Sequence, residues 1–276
     1  MITGATRVAA VIGHPVRHSL SPALHNAAFH QLGVDWVYTA FEVMPGSAQS
    51  AIDAMRALGL GGLSVTMPHK EVIAEAVDSL DPAAAALRSV NTVVPQADGR
   101  LMGYSTDGAG FVASLAAAGE QVEGRTVCVL GAGAAARSVV DALARSGAAR
   151  IAVLNRTFSS AQLAVELAGE AGVLGTASDV REAEIVVNAT SIGMGSNDLP
   201  LDVSVLHRGQ VVADLVYHPR ETALLRAARA AGAVAVDGLG MLVHQAALQQ
   251  QLWHGLVPDV TIMAAAAERE LAARRQ

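Results

Sequence analysis

Short runs of valine, isoleucine and leucine alternate along the chain with alanine-rich stretches whose apolar positions recur every three or four residues. The runs read as buried strands, and the alanine-rich stretches as helices laid over them. Such alternation predicts an α/β architecture with mainly parallel sheets. Strands are expected at residues 8–12, 36–43, 63–66, 90–95 and 101–104 in a first block. A second block holds strands at 126–130, 151–154, 185–188, 211–215 and 234–236. Asp98-Gly99 supplies a turn into the last strand of the first block. No Pro/Ser-rich linker divides the blocks, so the joint is placed at a helix beginning after Asp107. Past Gly238 the pattern is helical, broken at Pro258, and this stretch is expected to pack back on the first block.

Composition sharpens this picture. The chain has 276 residues, of which 52 % are hydrophobic and 3 % aromatic, so its cores must be aliphatic. No stretch approaches the ~20 apolar residues that cross a bilayer, and the run before Gly13 reads as a first strand rather than a leader. A formal net charge of -6 with interspersed signs argues against nucleic-acid binding, which needs clustered basic residues. One cysteine, Cys128, lies in an apolar strand pattern and suits a reducing cytoplasm. His14, His18, His25 and His30 lack the partners of a metal site, and none is expected.

Of nineteen basic residues, eighteen are arginine and one is Lys70, in Ser64-Val-Thr-Met-Pro-His-Lys70. Arginine stays charged near neutrality, whereas a lysine amine shifts readily when partly buried. Lys70 is therefore the candidate proton donor and acceptor. Thr66 and Lys70 fall where a strand meets a turn and a helix, at the carboxyl edge of a sheet, where open α/β sheets bind ligands. Asn91 at a strand start and Thr106-Asp107 after another are expected to join them. In His18-Ser-Leu-Ser-Pro22, Ser21 is placed as helix N-cap, Pro22 at the first helical position, and Gly33 at the end. The hydroxyls of Ser19 and Ser21 would then meet an anion at the helix N-terminus. A substrate with one carboxylate and several hydroxyls matches this set.

Residues 126–130 lead through Gly131-Ala132-Gly133-Ala134-Ala135-Ala136 into a helical pattern. Strand, tight glycine turn and helix make a dinucleotide fingerprint, with pyrophosphate at the helix N-terminus. The next strand ends in Asn155-Arg156-Thr157. An NAD site normally has a carboxylate there; here a guanidinium stands ready for the 2′-phosphate of NADP.

Together these motifs resemble shikimate dehydrogenase along nearly the whole chain. The resemblance rests on His18-Ser-Leu-Ser-Pro22 with His25-Asn26, Ser64-Val-Thr-Met-Pro-His-Lys70, Val90-Asn-Thr92 and Gly103-Tyr-Ser-Thr-Asp-Gly108. It continues through Gly131-Ala-Gly133, Asn155-Arg-Thr157, Asn188-Ala-Thr-Ser-Ile-Gly-Met194, Asp214-Leu-Val-Tyr217-His-Pro219 and Asp237-Gly-Leu-Gly-Met-Leu-Val-His-Gln245. It implies a substrate domain of residues 1–105 and 239–276 and a Rossmann-type NADP-binding domain of residues 106–238. It further implies cytoplasmic, NADP-dependent, reversible reduction of 3-dehydroshikimate to shikimate, as in the biosynthesis of chorismate and aromatic amino acids. Lys70 and Asp107 would form the catalytic pair. Ser19 and Ser21, with Tyr217 nearby, would hold the substrate carboxylate; Thr66, Asn91, Asp107 and Gln245 would contact ring hydroxyls. The cofactor would meet Gly131, Ala132, Gly133, Ala134, Ala135, Asn155, Arg156, Thr157, Leu215, and Gly238 or Gly240. A homodimer is compatible with it.

Ser105, Ala134 and Ser160 depart from the family pattern, the last where some members place a second arginine. An NAD-preferring quinate/shikimate dehydrogenase is the nearest alternative. Asn155 and Arg156 in place of an acid argue against it, as does Ser21 where quinate-using relatives tend to carry threonine. A non-catalytic NADP-binding sensor is the other; it would need the glycine loop but not both Lys70 and Asp107.

Overall fold

The computed structural model describes residues 1–274; Arg275 and Gln276, the end of the expected C-terminal segment, lie outside them. The chain separates into two compact units, one of Met1–Thr106 with the segment from Gln245 onward, the other of Asp107–His244.

In the first unit the order is β1 (Arg7–Gly13), α1 (Ser21–Leu32), β2 (Trp36–Glu42), α2 (Ala48–Leu58), β3 (Gly62–Val65) and α3 (Lys70–Ala76). Then come β4 (Ser79–Leu80), α4 (Pro82–Leu87), β5 (Thr92–Pro95) and β6 (Leu101–Tyr104). The sheet order is β2-β1-β3-β5-β6-β4. β1 runs parallel to β2 and β3, and β4 parallel to β6, but β5 is antiparallel to both neighbours. The Asp98-Gly99 turn accounts for the antiparallel β5–β6 pair, because a tight connection joins only antiparallel strands, and Gly99 takes the positive φ of +84° it requires.

Period-two alternation sends Ala10 and Ile12 of β1 to a core with Ile52, Met55, Leu63, Ile73 and Val93, and Ala9 and Val11 to the opposite face. That second face is closed by Phe29 of α1 and by Trp253. The Trp253 indole covers Gly62, where a β-carbon would run into the ring, and its Nε1 donates to Val93 O at 3.1 Å.

The second unit continues with α5 (Asp107–Ala117), β7 (Thr126–Leu130), α6 (Ala134–Arg145), β8 (Arg150–Leu154), α7 (Phe158–Glu166), β9 (Gly172–Leu174) and α8 (Ala177–Glu182). It ends with β10 (Ile185–Asn188), β11 (Val211–Asp214), α9 (Ala223–Ala230) and β12 (Val234–Val236). α10 (Gly238–His254) runs from this unit into the first, and α11 (Val260–Ala273) packs on α1. The C-terminal helices thus return to the first unit. The second sheet is parallel throughout, in the order β12-β11-β10-β7-β8-β9. This is the doubly wound order whose direction reverses at β7, and such sheets bind ligands at that switch point. No helix among the described residues is long and apolar enough to cross a membrane.

Candidate active site

Thr66 follows β3, and its N–H donates to Ile12 O at 2.9 Å. Its methyl group fills the space that a β-carbon on Gly13 would need, so the glycine makes room for this side chain. The next turn, with a cis peptide at Met67-Pro68, closes through His69 N–H to Thr66 O at 3.1 Å. His69 is buried, and its Nε2 lies 2.7 Å from Val43 O, which ties the turn to the end of β2. Lys70 then opens α3 with its side chain half-buried, and its carbonyl accepts from Val90 N–H at 2.9 Å. The lysine is thereby clamped to the residue before Asn91.

Asn91 is buried beside Thr106 and Gln245. Its Oδ1 accepts from Thr106 N–H at 2.9 Å, while its Nδ2 donates to Thr106 Oγ1 at 2.9 Å and Gln245 Oε1 at 3.5 Å. Residues from two loops and from a helix 154 positions along the chain from Asn91 thus meet in one cluster. Asp107 follows Thr106 directly and begins α5, half-buried.

The helix start at Ser21 differs from expectation. Ser21 is the first helical residue and Pro22 the second; Leu20 occupies the cap with no side-chain bond. The Ser19 hydroxyl accepts from Ser21 N–H at 3.2 Å and so takes over the capping. Helix ends commonly shift by a residue, and here the shift puts both hydroxyls at the amino end of α1. Arg274 reaches this loop from the end of α11, donating to His18 O at 2.5 Å and Ser19 O at 3.1 Å. His25 is fully buried, stacked on Tyr38 at 4.1 Å between ring centroids. Burial holds its imidazole neutral, with a pKa lowered to about 3. Among the described residues no three His, Cys, Asp or Glu side chains form a metal-holding group.

In the second unit Gly131 has φ +107°, and a β-carbon there would meet Ala189 O at 2.9 Å, so the chain after β7 runs hard against the chain after β10. Gly133 precedes α6 and faces open space; nothing lies within 4 Å of where its β-carbon would be. Ala136 is buried under the helix. The backbone N–H groups at this terminus are therefore accessible to an anion, which the helix dipole favours.

After β8, Asn155 Nδ2 donates to Thr157 O at 3.0 Å and folds the loop back. Arg156 is exposed and pairs with no carboxylate among the described residues. Thr157 caps α7 without a side-chain bond, and Ser160 lies one turn on, half-buried. A free guanidinium beside an open helix N-terminus fits a phosphate.

Asp214 is buried and accepts from Asn188 Nδ2 at 2.9 Å, Val216 N–H at 3.0 Å and Thr222 Oγ1 at 2.7 Å; burial pushes its carboxyl pKa up. This knot holds the turn bearing Leu215 and, two residues on, half-buried Tyr217. Gly238 lies against it, since a β-carbon there would collide with Leu215 O, and Gly240 lies against Ser114. Leu215 and Gly238 are thus brought together at the carboxyl ends of β11 and β12.

No motif in the sequence marks Tyr38 or Gln249, and Ser64 and Thr92 stand there only as members of motifs. All four are buried and bonded in the wall behind Asn91. The available signal was the four-residue spacing of Gln245 and Gln249, which puts two amides on one face of α10.

Three family models match the chain. "Shikimate dehydrogenase substrate binding domain" covers residues 11–93, "Shikimate / quinate 5-dehydrogenase" 114–194, and "Shikimate 5'-dehydrogenase C-terminal domain" 238–268. The shikimate dehydrogenase (NADP(+)) of Methanothermobacter thermautotrophicus is 42 % identical over 98 % of this chain and 99 % of its own. A crystal structure of a shikimate dehydrogenase in complex with NADP+ is similar with TM-score 0.92 and 37 % identity, over 98 % of this chain and 97 % of that one. The shikimate 5-dehydrogenase of Thermus thermophilus, in complex with NADP(H) and shikimate, gives TM-score 0.88 and 38 % identity over 95 % and 99 %.

Proposed function

The chain belongs to the shikimate dehydrogenase family, and from that premise we propose that it is an oxidoreductase interconverting 3-dehydroshikimate and shikimate with NADP. The observation that carries the catalytic assignment is the placing of the chain's one lysine. It opens α3, with its backbone tied to the residue before the Asn91–Thr106–Gln245 cluster.

In this reading the unit bearing Ser19, Thr66, Lys70 and Asn91 binds the substrate, and the unit bearing Gly131 binds the dinucleotide. Ser19 and Ser21 donate hydrogen bonds to the substrate carboxylate at the start of α1, and Tyr217 is the further residue assigned to that carboxylate. Thr66, Asn91, Asp107 and Gln245 orient the ring hydroxyls. Lys70 Nζ gives a proton to the ketone oxygen during reduction and takes it back in the reverse direction, with Asp107 orienting the amine. General acid–base assistance of this kind typically contributes ~10²–10⁴ in rate, and holding the ring in reacting geometry supplies much of the rest. The dinucleotide, when bound, would supply the hydride to the ketone carbon in its reduced form and accept it back in its oxidised form. Backbone N–H groups of Gly131, Ala132, Gly133, Ala134 and Ala135 receive its pyrophosphate, and Asn155, Arg156 and Thr157 its 2′-phosphate; Leu215 and Gly238 or Gly240 line the nicotinamide side. The enzyme works in a reducing cytoplasm, where a lone buried thiol such as Cys128, its pKa pushed up to about 12 by burial, stays inert. A homodimer is compatible with this reading.

The substrate assignment is tested with a Ser19→Ala, Ser21→Ala double variant. Hydrogen bonds to a charged group are worth roughly 1.5–3 kcal/mol each, so the Michaelis constant for shikimate should rise more than about tenfold. An analogue with hydroxymethyl in place of the carboxylate should be turned over no worse than by the parent. Equal losses on both compounds would mean that the serines only shape the loop.

A further inference from the structure

Behind Asn91 a line of buried polar side chains runs across the first unit. Tyr38 OH lies 2.7 Å from Ser64 Oγ, Ser64 Oγ 2.7 Å from Gln249 Oε1, Gln249 Nε2 3.0 Å from Thr92 Oγ1, and Thr92 Oγ1 2.8 Å from Asn91 Oδ1. All five residues are buried.

Amide and hydroxyl orientations are ordinarily open to reversal, but two backbone groups remove the choice here. Gln249 Nε2 also reaches Asn91 O at 3.3 Å, and a carbonyl only accepts, so the nitrogen of this amide faces β5 and its oxygen faces Ser64. Thr106 N–H only donates, so the atom of Asn91 it meets is the oxygen. With both amides oriented, Ser64 Oγ has one remaining role, and Thr92 Oγ1, accepting from Gln249, has Asn91 Oδ1 at 2.8 Å as its nearer acceptor, ahead of Thr106 Oγ1 at 3.4 Å. Tyr38 donates to Ser64, Ser64 to Gln249, Gln249 to Thr92 and Thr92 to Asn91. The chain points one way, and its last link reinforces the amide orientation that sends Asn91 Nδ2 toward Thr106 Oγ1 and Gln245 Oε1. Buried, fully satisfied networks of this kind rigidify the groups they end on.

We infer that Gln249 and Thr92 are positioning residues that fix the Asn91 amide for the substrate's ring hydroxyls, an inference that rests on the shikimate reading above. Neither needs to touch the ligand. Gln249 lies one helical turn beyond Gln245 on α10, so the same helix carries a side chain assigned to the substrate and one that sets its neighbour.

A double-mutant cycle tests this, read in the Michaelis constants for shikimate and NADP. Gln249→Met and Thr92→Val should each raise the shikimate constant roughly three- to tenfold, the size of one hydrogen bond, and leave the NADP constant unchanged. Combined with Asn91→Ala, neither should add a further loss, because the amide they set is gone. Additive losses, or single variants with unchanged shikimate constants where Asn91→Ala raises it, would overturn the relay and leave the substrate reading intact. An unchanged constant in Asn91→Ala alone would instead remove Asn91 from the substrate site, and the relay with it. Thr92→Val is nearly isosteric and carries the cycle by itself if Gln249→Met does not fold.

Discussion

Lys70→Ala is expected to lower kcat by roughly 10²–10⁴, the usual contribution of a positioned acid–base group, while shikimate and NADP still bind. The backbone clamps of this residue survive the change, since Val90 N–H bonds its carbonyl and the His69–Thr66 turn precedes it. What is lost is the side chain that moves the proton. Lys70→Arg should fail nearly as badly, because a guanidinium keeps the charge but does not exchange protons near neutrality. Steady-state rates and equilibrium binding of shikimate measured on both variants separate the roles. Parent-like turnover in the arginine variant would make Lys70 a positioning charge and end its assignment as proton donor.

Arg156→Ala is expected to raise the NADP Michaelis constant more than tenfold and the NAD constant far less. Loss of a charge-assisted bond to phosphate costs roughly 1.5–3 kcal/mol, and the exposed guanidinium has no carboxylate among the described residues to compete for it. Asn155, which folds the loop onto Thr157 O, is untouched, so the loop should keep its shape. If both constants rose together, Arg156 would be holding the loop rather than the 2′-phosphate. Since no second arginine stands at Ser160, the phosphate preference should rest largely on this one side chain, and a substitution at Ser160 should matter little by comparison.

Much of the fold was legible because its signals are local. Valine-rich runs marked the long strands, Gly33 with φ +66° ended α1, and Asp98-Gly99 turned the chain between β5 and β6. Strands β4 and β9 were not, since Ser79-Leu80 and Gly172-Val-Leu174 lack the β-branched run that marked the comparably short β12, and they pair only because neighbours present an edge. The antiparallel direction of β5 against β3 depends on a partner far along the chain. At the candidate site, Lys70 stood out by composition and Asn91 and Thr106 by their places beside strands. The capping role passed from Ser21 to Ser19 because the helix begins one residue away from where the hydroxyl spacing suggests. The chain through Tyr38, Ser64, Gln249 and Thr92 was invisible for a different reason. Each is an ordinary polar residue until tertiary packing removes water and leaves one another and Asn91 as partners.

The central claim is most directly tested by mixing the purified protein with shikimate and either NADP+ or NAD+ and following nicotinamide absorbance, with quinate in parallel. Shikimate should reduce NADP+ quickly, with weaker use of NAD+ and little activity on quinate. Faster turnover of quinate with NAD+ would contradict the substrate and cofactor together, and binding of NADP+ without any turnover would contradict the enzyme.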